Sequence, residues 1–170
     1  MRVVIISDIH DNLVNLAKCL NWCQTAKITA IICCGDVTNS ETLKFLASKF
    51  SGIIYLVGGN ADIYDKDEIN QYENIQYYDK IGRIEINGRR IGICHESHLI
   101  PEVITKTRCD IIFYGHTHKP WIAKKQKIIT VNPGILNDMP QSATFAAWDT
   151  ETGNIKLITI ESLCKKKSKK

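Results

Sequence analysis

Short runs rich in Val and Ile recur along this chain at residues 3–6, 30–34, 53–57, 90–94 and 110–114, and each stops abruptly at Asp, His, Asn or Gly. Runs of this length and composition read as buried strands. Between the first three lie stretches of helical period: residues 12–26, where Leu13, Leu16, Ala17 and Leu20 share one stripe, and residues 40–50, where Leu43, Phe45, Leu46 and Phe50 are apolar. The resulting β-α-β-α-β order predicts a mainly parallel sheet with right-handed crossovers, in which ligands gather beyond the carboxyl ends of the strands. Residues 85–91 read instead as a hairpin around Asn87-Gly88. A further helix is expected at 100–107, and strands near 128–131, 143–148 and 155–160. The expectation is an α/β protein with two sheets face to face and helices outside; strand order is not readable at this level.

The residues that end the runs carry the chemistry. Asp8 and His10 follow the first strand two apart, a spacing that in extended chain turns both side chains the same way. Asp36 follows the second strand after Gly35, Asn60 the third after Gly58 and Gly59, His95 ends the fourth, and His116 and His118 follow the fifth after Gly115. Taken singly, Asp8 or Asp36 reads as a turn or cap residue, Asn60 as a left-handed turn residue and His95 as a core histidine. Together they deliver carboxylates, a carboxamide and imidazoles to what is expected to be the same edge of one sheet. Such a nitrogen and oxygen set without thiolate suits Mn, Fe or Zn. It is too large for one ion and natural for two that share a carboxylate, with Asp36 as the bridge.

In this order Asp8-Ile9-His10, Gly35-Asp36, Gly59-Asn60, His95 and Gly115-His116-Thr117-His118 resemble the motif series of the calcineurin-like metallophosphoesterases, in particular their small single-domain phosphodiesterase branch. Asn132-Pro133-Gly134 resembles a turn of the same branch, and the likeness runs to about residue 160. It implies a four-layer α-β-β-α sandwich with two mixed sheets between helices. It also implies two divalent ions per chain, Mn first and Fe, Ni or Zn as alternatives. One would sit on Asp8, His10, Asp36 and His118, the other on Asp36, Asn60, His95 and His116. The implied reaction is hydrolysis of a small phosphodiester by in-line attack of a metal-bridging hydroxide.

The chain departs from that pattern at three points. Many relatives place a His directly after the metal-binding Asn, where it can protonate the leaving group; here Ala61 and Asp62 follow. The fourth motif reads His95-Glu96-Ser97-His98, so His98 is either a displaced proton donor or a surface histidine at a helix start. Asp11 stands where Gly is frequent, and either caps the helix that begins at Asn12, the reading expected first, or adds negative charge at the mouth of the site. Specificity is expected in the loops around Tyr64, Asp65 and His98.

Charge and cysteine use narrow the classes. The formal net charge is +4, but residues 165–170 hold five lysines, so the body is close to neutral. This argues against a nucleic-acid polymer as partner, which would call for a basic face on the folded part. We expect one domain over residues 1–164 and a basic flexible tail over 165–170. The seven cysteines form no Cys-x-x-Cys pair, and no run suits a signal peptide core or a membrane span; a cytoplasmic protein with buried thiols is expected. The partner is a small phosphoester, with a homo-oligomer left open. The rival reading is a non-catalytic interaction scaffold on the same fold, resembling the retromer subunit of this branch. Such scaffolds typically lose a ligand, whereas every position is filled here.

Overall fold

The computed structural model describes residues 1–106, 108–137 and 142–164. The expected helix end at Thr107 and the tail at 165–170 lie outside the described residues.

Strand β1 (Arg2–Ile6) is buried along all but its first residue, and alternate side chains enter different layers. Val4 and Ile6 face the helices, while Val3 and Ile5 face the second sheet. A strand covered on both sides has no polar face, which is why the sequence reads as a continuous apolar run. Helix α1 (Leu13–Thr25) follows, opened by Asn12, whose Oδ1 accepts from the backbone N–H of Asn15 at 3.0 Å. After β2 (Ala30–Cys33), helix α2 (Ser40–Lys49) is capped in the same way by Asn39 on Thr42. Then come β3 (Ile53–Val57) and a fourth strand, β4 (Ile75–Tyr78), reached through a 3-10 turn at Lys66–Gln71. That fourth strand has no apolar run in the sequence, because its residues are half-buried at a sheet margin.

A new sheet begins at β5 (Ile81–Ile86), which turns through Asn87 and Gly88, both at positive φ, into β6 (Arg89–Cys94). Helix α3 (Ile100–Lys106) leads to β7 (Ile111–Phe113), then β8 (Trp121–Lys125) and β9 (Ile128–Asn132). Strands β10 (Thr144–Asp149) and β11 (Ile155–Thr159) return to the first sheet, and α4 (Ile160–Cys164) packs on α1. The exposed β8 escaped the sequence reading for the same reason as β4: an edge strand need not be apolar.

The sheets run β11-β10-β1-β2-β3-β4 and β5-β6-β7-β9-β8. In the first, β1, β2, β3 and β4 are parallel and β10 and β11 antiparallel. In the second, β6, β7 and β9 are parallel, flanked by antiparallel β5 and β8. Phe113, Trp148 and Ile93 fill the space between the sheets; Leu16, Leu43 and Phe145 fill the layer under α1 and α2, and Val103 of α3 closes the far side. The expected four-layer sandwich is therefore observed. The cysteines at 19, 23, 33, 34, 94 and 109 are free and buried. Among the described residues no helix is long and apolar enough to cross a membrane.

Candidate metal centre

The expected ligands do meet, but not on one sheet. Asp8, Asp36 and Asn60 follow β1, β2 and β3 of the first sheet; His95, His116 and His118 follow β6 and β7 of the second. The correction has a simple cause: the Asn-Gly hairpin starts a new sheet, so β6 and β7 cannot pair with β3. The two sheets stack with these strand ends side by side, and the centre forms between them.

Backbone conformation at the strand ends is unusual. Asp8, His10, Asp36, His116 and His118 all have φ between 43° and 65°. A left-handed conformation at a non-glycine residue is costly and persists where surrounding bonds hold it. Here the first two loops are laced together: the N–H groups of Asp8, Ile9 and His10 donate to the carbonyls of Gly35, Asp36 and Asp36 at 3.0, 2.9 and 3.2 Å. Gly59 lies so close to Asp36 that a Cβ there would stand 2.1 Å from Asp36 Oδ1. Only glycine allows that approach.

The side chains form two groups joined at Asp36. His10 Nε2 lies 3.4 Å from His118 Nε2 and 3.8 Å from Asp8 Oδ1, and His118 Nε2 lies 3.2 Å from that same oxygen. On the other side His95 Nε2 lies 2.9 Å from Asn60 Oδ1, and the His116 ring stands edge-on to His95 at 5.1 Å. Asp36 Oδ1 accepts from the N–H of Ala61 at 2.8 Å. Its Oδ2 is left to face His10 Nε2 at 3.7 Å and His95 Nε2 at 3.3 Å.

Burial lifts the Asp8 carboxyl above the ordinary carboxylate range, against a hydrogen bond from Ser7 and the imidazoles of His95 and His118. Burial works the same way on Asp36, but the hydrogen bonds from His95 and Ala61 and the nearby imidazoles outweigh it and hold Asp36 low. For His95, burial disfavours the charged ring, yet Asp36 and Asp8 push its pKa up.

These groups suit a cation. Asp8 is fully buried and its Oδ1 accepts no hydrogen bond among the described residues. The Nδ1 of His95 meets the carbonyl of Cys34 at 2.7 Å. A carbonyl can only accept, so Nδ1 carries a proton, and in its neutral form the ring would turn the Nε2 lone pair toward two oxygens. Lone pairs gathered in a buried space call for a proton or a metal ion among them. Asp8, His10 and His118 form one group able to hold an ion, and Asp8, Asp36 and His95 another.

Several supporting residues were not legible as such. Asp62 takes three hydrogen bonds, from the N–H groups of Thr38 (2.9 Å) and Gly59 (2.7 Å) and the Tyr64 hydroxyl (3.0 Å), locking the Asp36 and Asn60 loops together. Its spacing three residues past Gly59 was the available signal. The Nδ2 of Asn132 donates to the Gly115 carbonyl (2.8 Å) and Thr117 Oγ1 (3.0 Å), bracing the loop that carries His116 and His118. Asp11 does not cap α1, since Asn12 does; its Oδ1 accepts instead from Asn39 N–H and Thr42 Oγ1 at the start of α2. Asp65 caps the 3-10 turn after it, by accepting from Asp67. His98 stands apart from the imidazole cluster, in a 3-10 turn at Ser97–Leu99, with Nδ1 2.9 Å from Glu96 Oε2. It lines a cleft of about 260 Å3 together with Asn60, His95 and Tyr64.

Comparison with known proteins agrees with this architecture. The chain is 28% identical over 172 residues to the phosphodiesterase MJ0936 of Methanocaldococcus jannaschii, covering 95% of this chain and 100% of that protein. A solved archaeal phosphodiesterase superposes with a TM-score of 0.84 at 23% identity, over 94% of this chain and 99% of the other. Vps29 of Chaetomium thermophilum shares the fold at a TM-score of 0.70 and 17% identity, over 93% and 95% of the two chains. The model of the calcineurin-like phosphoesterase superfamily domain matches residues 1–153, and the chain belongs to that superfamily.

Proposed function

We propose that this protein is a dinuclear metal-dependent phosphodiesterase acting on small phosphodiesters, with residues 1–164 as its domain. The family carries the coarser statement, a metal-using phosphoesterase, and the name of the M. jannaschii relative supports the diester. One ion is assigned to Asp8, His10, Asp36 and His118, the other to Asp36, Asn60, His95 and His116. The mixed imidazole and carboxylate set is compatible with Mn, Fe, Ni or Zn, and Mn is taken first because the family resemblance implies it. The observation that carries the reading is Asp36 Oδ2, a single oxygen facing His10 on one side and His95 on the other.

When bound, such ions acidify water and place positive charge beside the phosphoryl oxygens. The chain's own residues do the rest. Asp8 and Asp36 supply buried negative charge, and the Cys34 carbonyl fixes the tautomer of His95. Asp62 and Asn132 keep the ligand loops in register. His98, on the cleft wall, is assigned as proton donor to the departing oxygen.

Titration with Mn is expected to saturate at two ions per chain, and the loaded protein to hydrolyse bis-nitrophenyl phosphate faster than the corresponding monoester. Saturation at one ion or none refutes the dinuclear reading, and preference for the monoester refutes the diester. The likeness to Vps29 sustains a second reading, an interaction scaffold. Metal uptake without turnover of any ester would favour it.

A further inference from the structure

We propose that Glu96 and His98 form an acid pair that protonates an aliphatic leaving oxygen, and that the cleft they line receives the leaving arm, so that the substrates are diesters of aliphatic alcohols. This rests on the dinuclear phosphodiesterase reading and extends it to the substrate class.

One cleft joins the two places. Its lining includes Asn60 and His95 of the metal centre and, beside them, Glu96, His98, Tyr77 and Lys66. A group expelled from phosphorus at Asn60 and His95 therefore has His98 within the same enclosure. The volume, about 260 Å3, lies just under the usual range for small-ligand sites, about 300–1,000 Å3. It suits an arm of one ring or a short polar chain, not a polymer.

Within that cleft the source of the proton follows by elimination. Ala61 has none to give. Tyr64 donates to Asp62, and burial with that carboxylate pushes its phenol far above the ordinary range. Burial raises Tyr77 as well. Lys66 is paired with Asp79 and shifted upward by it, and Lys80 lies in the field of the same carboxylate. Asp62 is engaged on both oxygens as the acceptor of three hydrogen bonds that lock the ligand loops. His98 is the one remaining side chain of a type that changes charge near neutrality outside the ligand set.

Its geometry fits the task. With Nδ1 held by Glu96 at 2.9 Å, Nε2 is the nitrogen left to give a proton, and it has no protein partner among the described residues. The ring is 68% exposed, so solvent can reload it. Glu96 is the positioning residue: a side chain that accepts from Nδ1 restricts which way the imidazole turns. In the step, an oxygen from water forms the new bond to phosphorus as the bond to the leaving oxygen breaks. The electron pair of that bond stays on the leaving oxygen, which takes the proton from His98 Nε2, and the proton lost by the water returns to solvent or to His98. The products are a phosphomonoester and a neutral alcohol.

Such a device matters only for a poor leaving group. Nitrophenolate departs without help, whereas an alkoxide needs a proton, and general acids contribute typically about 100- to 10,000-fold.

The test compares kcat for bis-nitrophenyl phosphate and for glycerophosphocholine with the Mn-loaded full-length chain. The native protein is expected to hydrolyse both. His98→Ala is expected to slow the alkyl diester by about 100-fold or more and the aryl diester far less, so that the dependence of kcat on leaving-group pKa steepens. Glu96→Ala should cut the alkyl rate by about tenfold, and Glu96→Gln, whose amide oxygen still accepts from Nδ1, should restore most of it. Equal slowing of both substrates by His98→Ala, no slowing, or Glu96→Ala and Glu96→Gln that behave alike overturns the proposal. A native protein active on the aryl diester and inert on the alkyl one also overturns it while leaving the dinuclear reading intact. Absence of both activities in a protein that binds two ions would count against the phosphodiesterase reading itself.

Discussion

A carboxylate that serves two ions differs from one that serves a single ion, and the difference can be read by substitution. Asp36 Oδ1 is engaged by the Ala61 N–H, and Oδ2 faces both histidine groups. Asp36→Asn keeps the volume and removes the charge, so both Mn-binding steps are expected to weaken together. His118→Ala removes a nitrogen that lies 3.4 Å from His10 and 3.2 Å from Asp8 and has no contact with His95 among the described bonds. It is expected to weaken chiefly one step. Isothermal titration separates the two patterns, and a single affected step in Asp36→Asn would remove that residue as the bridge. Asp11 and Asp65 teach a complementary lesson at this scale. Asp65 caps the turn that follows it, whereas Asp11 serves α2 instead of the helix beside it, and sequence distance does not distinguish the two cases.

At the scale of elements, the centre depends on loops that hold strained conformations, and those loops need bracing from elsewhere. Asn132, at the end of β9, supplies it to the loop after β7: fully buried, it binds the Gly115 carbonyl and Thr117 Oγ1, while its own Oδ1 accepts from Gly134 N–H. Asn132→Ala leaves the buried Gly134 N–H without its acceptor and takes the Nδ2 donor from the Gly115 carbonyl and Thr117 Oγ1, at a cost of about 1–3 kcal/mol. The expected outcome is a lower denaturation midpoint, together with Mn affinity reduced more than tenfold because His116 and His118 lose their fixed backbone. Urea unfolding and Mn titration on the same preparation check both, and unchanged affinity would show that the histidine loop holds itself. The Asn-Gly turn at 87–88 acts at this scale too: by pairing β5 with β6 it builds the edge of the second sheet, the layer from which three of the four candidate ligand histidines come.

For the molecule as a whole, the positive charge concentrated at residues 165–170 predicts that the catalytic unit does without it. Removing those residues is expected to change turnover of bis-nitrophenyl phosphate by less than about twofold, in keeping with the tolerance of chain ends to change; a loss of most activity would make the segment part of the working protein. What the sequence alone determined is local. The apolar runs, the helical stripes, the Asn-Gly turn and the identity of residues ending each strand follow from side-chain period and backbone preference, and these produced both the strands of the core and the candidate ligands. Strands β4 and β8 stayed hidden because margin strands carry no continuous apolar run. Which sheet each ligand comes from, that Asp36 turns a single oxygen toward both histidine groups, and that Asp62, Glu96 and Asn132 stand where they do were decided only by tertiary structure. The reason is physical: hydrogen bonds such as Asn15 to Leu136 or His116 to Asp8 join residues 121 and 108 positions apart, and no local pattern encodes a partner that the stacking of two sheets selects.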